Sequence, residues 1–496
     1  MKTFKNIKYI GLLAIAISFT ACNDEEDFEQ FLDMPPADAV ALPAPTSGSA
    51  DFSTFVSLGN SLTAGFADGA LYSIAQENST PNIMASKFSL VGGGNFTQPL
   101  MNDNVGGLLA GGSPLPGFGP RLVFDGAGPV PITNLNPGAM TTTDIVLNNP
   151  TGPFNNMGVP GAKSFHLLAP GYGDLNGLFT VPATANPYFV RMASSSTTSV
   201  IADAMAQAPT FFSLWIGNND VLGYALSGGD GTNPITPTAT FDFAYSTLIT
   251  TLTSGGAKGV VANIPDVTAI PHFTTVPYNP IPLDAATASA LNQGYATYNG
   301  GLQFAMSNGL ITQAEVDKRT IAFAEGSNNA MVLIDEDLTD LTSFGIPSYR
   351  QSTADDLFVL PLSSLIPQGY GTQIPLADKW ALTPEEQAEI ATATASFNAT
   401  IQSQASAANL AFVDANALLN LVKDGNLPSG NYNLTSDLVT GGAFSLDGVH
   451  PTSRGYALIA NQFLKAIDLK YGSNFEASGN LVDIGEYNTN YSAGLQ

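Results

Sequence analysis

TFVSLGNSLTAGFA, residues 54–67, is apolar as far as Leu58 and then stops at Gly59, Asn60 and Ser61. A short apolar run bounded by a turn signal reads as a buried strand. Gly59 permits a sharp turn, and the residues that follow, LTAGFADGALYSIAQ, can start as a helix. Strand, turn and helix in that order make half of a parallel α/β unit, whose ligand-bearing edge is the C-terminal end of the strand. Ser61 stands there with two readings open. Ser is among the commonest helix N-caps, and a serine at such an edge is also a nucleophile if a base can reach it. The stretch fails the G-x-S-x-G elbow because Thr63 occupies the second glycine position, which disfavours an ordinary α/β-hydrolase.

Outward from this stretch, short apolar runs alternate with helical patterns. Strands are expected at Thr54 to Leu58, Thr210 to Ile216, Gly259 to Ile264, Ala330 to Ile334 and Leu410 to Val413. Helices are expected at Ser199 to Ala208, Ala244 to Leu252, Asp284 to Ser307, Pro384 to Ala408 and Ser453 to Tyr471. Strands separated by helices imply right-handed crossovers and a parallel sheet covered on both faces, a three-layer α/β/α domain. Residues 66–196, rich in Gly and Pro, and the milder stretch 319–382 exceed what such a domain needs; loops of that length are usually functional or disordered, and they read as insertions packed around the site.

The chain has 496 residues, enough for a substantial core, and 44% of them are hydrophobic. Its 49 Gly and 33 Pro exceed the average share of about 12% for those two residues, in keeping with long irregular loops. Acidic residues outnumber basic ones 41 to 16, giving a net charge of -25. That charge repels phosphate backbones and anionic headgroups, so nucleic acid is not an expected partner.

A serine hydroxyl needs a base, and histidine is the usual one because its unperturbed pKa lies near about 6.5. The chain has 3 histidines. His166, in AKSFHLLAP, has Lys163 before it and no local carboxylate, and His272 lies in the Pro-bounded AIPHFTT; both read as structural or surface residues. His450 lies in SLDGVHPTSRGYALIANQF, with Asp447 three residues earlier and Gly448 between them. A carboxylate at that reach can hold imidazole Nδ1 and leave Nε2 to take the serine proton. The strand ending at Ile216 leads into Gly217-Asn218-Asn219-Asp220, where Asn219 either caps a polar turn or offers an amide to an oxyanion.

In that order, GNSLTAG, GNND and DGVHPT resemble the SGNH/GDSL hydrolase family, over about residues 52–472. The resemblance implies a flavodoxin-like α/β/α fold over 51–475, with Ser61 as nucleophile and Asp447 and His450 as acid and base. It also implies an oxyanion hole from Ser61, Asn219 and a glycine in NNMGVPGAKSF, best matched by Gly161 with Gly158 second. Asn60 replaces the family's eponymous Asp. The mechanism so implied, an acyl-enzyme on Ser61, needs no metal and no cofactor.

Three substrate readings are open. PLPGFGP and scattered Phe and Leu in the first insertion can cover an acyl chain, which suits a lipase or esterase. Small loops of Asn, Thr and Gly suit an acetylated glycan, but only Trp215 and Trp380 are available to stack on sugars. The third is a surface lipoprotein that binds a ligand without turnover, opposed by the presence of every catalytic residue type.

The beginning MKTFKNIKYIGLLAIAISFTAC has Lys2, Lys5 and Lys8, a short apolar core and small residues, a secretory signal too short for a membrane span. Ending at the single cysteine, residues 1–22 resemble a bacterial lipoprotein signal in which Cys22 becomes the lipidated first residue. That implies anchoring at the outer membrane or cell surface by lipid alone. Residues 23–50, acidic and then Pro/Ala-rich, read as a tether with a reach on the order of 30 Å. Residues 476–496 read as a C-terminal tail.

Overall fold

Five short strands, all parallel, make the central sheet: β1 (Phe55–Gly59), β2 (Asn156–Gly158), β3 (Phe211–Trp215), β4 (Lys258–Ala262) and β5 (Ala411–Val413). Their order is β2-β1-β3-β4-β5, with the winding direction reversing between β1 and β3. The computed structural model describes residues 41–496, of which Pro45–Gln496 form one compact unit; the signal segment, Cys22 and most of the tether lie outside the described residues.

The principal helices are α1 (Ser61–Ala64), α2 (Thr80–Phe88), α3 (Val200–Met205), α4 (Asn218–Leu226), α5 (Thr238–Thr253), α6 (Pro384–Ala407), α7 (Ala415–Lys423) and α8 (Ser453–Tyr471). Side chains alternate across a strand, and here each face meets helices. Val56, Leu58, Phe212, Leu214 and Val261 pack with α3, α5 and α6. Phe55, Phe211, Trp215, Val260 and Ala262 pack with α2, α7 and α8. This arrangement is why the strands read as continuous apolar runs.

Register decides where the site forms. Gly59, the last residue of β1, lies opposite Gly158 of β2 and Trp215 of β3, so these three strands end level with one another. The segments that follow them, carrying Ser61 at the start of α1, Gly161 in a loop and Asn219 at the start of α4, therefore leave the same edge of the sheet.

One expectation is corrected. The run Ala330 to Ile334 is not in the central sheet: Val332–Ile334 pairs antiparallel with Tyr349–Gln351 inside the 319–382 insertion, whose buried Arg350 grips Asp356 through two bonds of 2.7 and 2.6 Å. The fifth strand is instead β2, three residues long and inside the 66–196 insertion, too short to give a periodic signal. The helix that starts at Ser61 is four residues long, because Gly65 ends it in the left-handed conformation at φ 82°. Residues 476–496 are tied to the body, since the buried Arg121 guanidinium donates to the carbonyls of Tyr491, Ser492 and Leu495.

β2 approaches α1 closely: a Cβ on Gly158 would lie 2.4 Å from the Ala64 nitrogen. Gly158→Ala is expected to cost about 1 to 3 kcal/mol in urea unfolding and to displace α1; an unchanged midpoint would show that this contact yields without cost.

Candidate active site

Ser61 is placed by the residue before it. Asn60 Oδ1 accepts the Leu62 N–H at 3.0 Å, so Asn60 is the N-cap of α1. Its amide also donates to Asn218 Oδ1 at 3.2 Å, joining the ends of β1 and β3. Ser61 is the first helical residue, and its hydroxyl is free of capping. Gly59 serves by its size: a Cβ there would fall 2.4 Å from the Trp215 carbonyl oxygen and 2.1 Å from Thr63 Oγ1.

His450 Nε2 lies 2.9 Å from Ser61 Oγ, across 389 residues of sequence. Its Nδ1 lies 2.8 Å from Asp447 Oδ2. The ring packs against Phe66, with centroids 4.6 Å apart. The loop then runs straight into α8, whose cap Thr452 Oγ1 accepts the Gly455 N–H, so the histidine is held at the start of a long buried helix.

Asp447 is held from several sides. Oδ1 accepts the N–H groups of Val449 and His450 at 2.8 and 2.9 Å, and the Ser445 hydroxyl at 3.1 Å. Oδ2 accepts the Gly69 N–H at 2.8 Å. Burial alone pushes the carboxyl up, but the charge of His450 and these hydrogen bonds outweigh it and hold Asp447 well below the usual carboxylate range. With Asp447 ionised, Nδ1 carries the proton and Nε2 is the acceptor facing Ser61, an arrangement that can take a proton from the hydroxyl.

The sequence reading missed the segment 66–69 that supports this loop. Asp68 is buried at the positive φ of 54°, accepts the Leu446 N–H at 3.0 Å and the Tyr72 hydroxyl at 2.6 Å, and donates its own N–H to Ser445 Oγ. Nothing local distinguishes Asp68 from a turn aspartate; only its partners, nearly four hundred residues away, do.

Asn219 sits in the first turn of α4 and donates to the Ala162 carbonyl at 2.9 Å, which brings it beside Gly161. Asp220 accepts the Ser164 N–H and hydroxyl, each at 2.8 Å, so the loop after β2 is tied twice to α4. Among the described residues, the N–H groups of Ser61 and Gly161 donate to no protein acceptor, whereas Gly158 N–H is taken by Asn156 Oδ1 at 3.0 Å. That leaves Gly161 and not Gly158 as the free donor.

The other two histidines make no hydrogen bond to Ser61 or to the His450 ring. His166 Nδ1 accepts the Lys163 N–H, its ring stacks on Tyr172, and burial together with the Lys163 charge pushes it down to about 4. His272 is behind the Asp447 loop, its N–H donating to the Gly448 carbonyl at 2.9 Å, and burial lowers its pKa.

Ser61, His450 and Asn219 open onto a pocket with a cavity volume of about 100 Å³. Its walls are apolar, with Leu222, Val267, Ile270, Leu418, Leu419 and Ile459 among them, and Trp215 with its indole N–H already donating to the Asn263 carbonyl. No family model, no curated protein and no solved structure matches the chain.

Burial pushes Asp68 up to about 6, against an unfolded value near about 4. The folded state thus keeps a proton that the unfolded state has released, and the stability drawn from it falls as pH rises between these values. Asp68→Asn is expected to remove that slope in urea unfolding run from pH 4 to 7; a slope identical to wild type would assign it to another group.

Proposed function

We propose that this chain is a serine hydrolase of the SGNH/GDSL type that cleaves carboxylic esters carrying an apolar acyl or alkyl group. The observation that carries this reading is the unbroken run Asp447, His450, Ser61, with contacts of 2.8 and 2.9 Å, at the mouth of an apolar pocket. The order β2-β1-β3-β4-β5 supports it, because doubly wound sheets of this order bind ligands at the β1/β3 switch, where Ser61 and Asn219 lie.

In this mechanism Ser61 Oγ attacks the ester carbonyl carbon while His450 Nε2 takes the hydroxyl proton. The oxyanion of the tetrahedral intermediate is received by the N–H groups of Ser61 and Gly161 and by the second amide hydrogen of Asn219. Collapse expels the alcohol, which receives its proton from His450 and leaves an acyl-enzyme. Water, deprotonated by His450, then releases the acid and restores Ser61. Asp447 remains ionised and holds the imidazole tautomer. The apolar walls favour an acyl chain over an acetylated glycan, since Trp215 is packed into the wall and is not a free stacking surface.

We further infer a secreted protein anchored through lipid on Cys22, on the strength of the first 22 residues. Among the described residues no helix is long and apolar enough to cross a membrane.

The deciding experiment is a series of nitrophenyl esters from acetyl to dodecanoyl, with an acetylated sugar alongside, run on wild type and on Ser61→Ala. Wild type is expected to prefer medium or long chains, and Ser61→Ala to lose about 10⁴ or more in kcat. Near-wild-type turnover by Ser61→Ala, or phosphonate labelling of another residue, would sink the assignment. Asn219→Ala is expected to lower kcat by about 10² to 10³ with little change in KM; a change in KM alone would make Asn219 structural. Leu418→Trp, filling the pocket, is expected to shift the optimum to shorter chains, and an unshifted profile would place the acyl group elsewhere.

A further inference from the structure

A second cluster of functional groups lies away from Ser61, where the loop leaving α4 meets the start of α6. Glu336, Asp378 and Glu386 each present a carboxylate oxygen within 4.8 Å of the others. Among the described residues no lysine or arginine forms an ion pair with any of the three. Lys379, beside them in sequence, turns its ammonium over the Trp380 ring at 5.1 Å.

Glu386 makes the cluster more than a surface collection of acids. It is 5% exposed. Its Oε2 is spent on the helix cap, accepting the Thr383 N–H and hydroxyl at 2.6 and 2.9 Å. Its Oε1 is fully buried and has no hydrogen-bond partner, in a carboxyl that belongs to the cluster with Glu336 and Asp378. A buried carboxylate oxygen without a donor costs about 1 to 3 kcal/mol or more, so such an atom needs an explanation. The α4 exit loop presses on the same place: a Cβ on Gly229 would fall 2.2 Å from Glu386 Oε1, and one on Gly228 would fall 2.3 Å from the Asp378 carbonyl oxygen.

We propose that Glu336, Asp378 and Glu386 bind a hard divalent cation, Ca²⁺, which fastens the α4 exit loop to the start of α6. The donors are all oxygens, which selects hard cations. Three carboxylates gathered at one place suit Ca²⁺, which takes about 6 to 8 oxygen ligands, better than Mg²⁺, which keeps several waters and binds through one or two carboxylates. The cation supplies the partner Glu386 Oε1 lacks. It takes no part in the ester chemistry proposed above, and its test is a binding measurement, so either proposal can fail alone.

Tb³⁺ is the probe, with Ca²⁺ as competitor, on full-length protein stripped with EDTA. Trp380, two residues from Asp378, sensitises bound Tb³⁺. Saturable emission displaced by Ca²⁺ is expected, together with a higher Tm in Ca²⁺ than in EDTA. Glu336→Gln, at an exposed position that leaves folding intact, and Asp378→Asn are each expected to weaken Ca²⁺ binding about tenfold or more in calorimetry and to lose the Tm response. Trp380→Phe is expected to lose the emission and keep the calorimetric binding. No saturable uptake by folded wild type, uptake unchanged in Glu336→Gln and Asp378→Asn, or Mg²⁺ binding as tight as Ca²⁺ would each overturn the proposal.

Discussion

The Asp447 carboxylate receives five hydrogen bonds, and the geometry around Ser61 depends on them. Three come from its own loop, one from the imidazole of His450, and one from the Gly69 N–H at the far end of the sequence. Hydrogen bonds to an ionised group are worth about 1.5 to 3 kcal/mol each, and a charge buried without them is expensive. The carboxylate can be desolvated only if all these donors converge on it. That requirement fixes the loop shape, sets the imidazole tautomer, and pins residues 445–450 against residues 66–69.

Asp68 provides a second tie between the same two segments, and Phe66 a third. The histidine is thus positioned by packing and by backbone donors on elements that are themselves fixed, Ser61 by the end of β1 and His450 by the start of α8. On the opposite flank, Asp220 and Asn219 hold the loop after β2 to α4, so the two free N–H groups and the amide lie along one edge. The pocket beyond them is walled by α7 and α8 and by the loop after β4.

Much of this was legible in the chain. β1, β3, β4 and β5 were expected from apolar runs within one or two residues at each end, because strands buried on both faces are continuously apolar. The histidine that meets Ser61 was identifiable because only one of the three histidines has an aspartate at the right reach. Asn60, at odds with the resemblance, turns out to take the capping role that Ser61 was a candidate for, which leaves the serine hydroxyl free. β2 was not legible: its three residues gain strand geometry only from pairing with β1. The Val332 run was misread as a core strand because a small hairpin in an insertion buries the same residue types.

By itself the sequence determined the parallel α/β class and the Asp-His unit of the last motif, since both depend on residues close together in the chain, where periodicity and spacing act directly. Only the tertiary structure decided that Ser61 faces His450, that Gly161 and not Gly158 has a free N–H, that Asp68 supports the loop, and that three acids from separate segments crowd one buried oxygen. Each of those is a contact between residues far apart in sequence, set by strand register and packing, which no local pattern encodes.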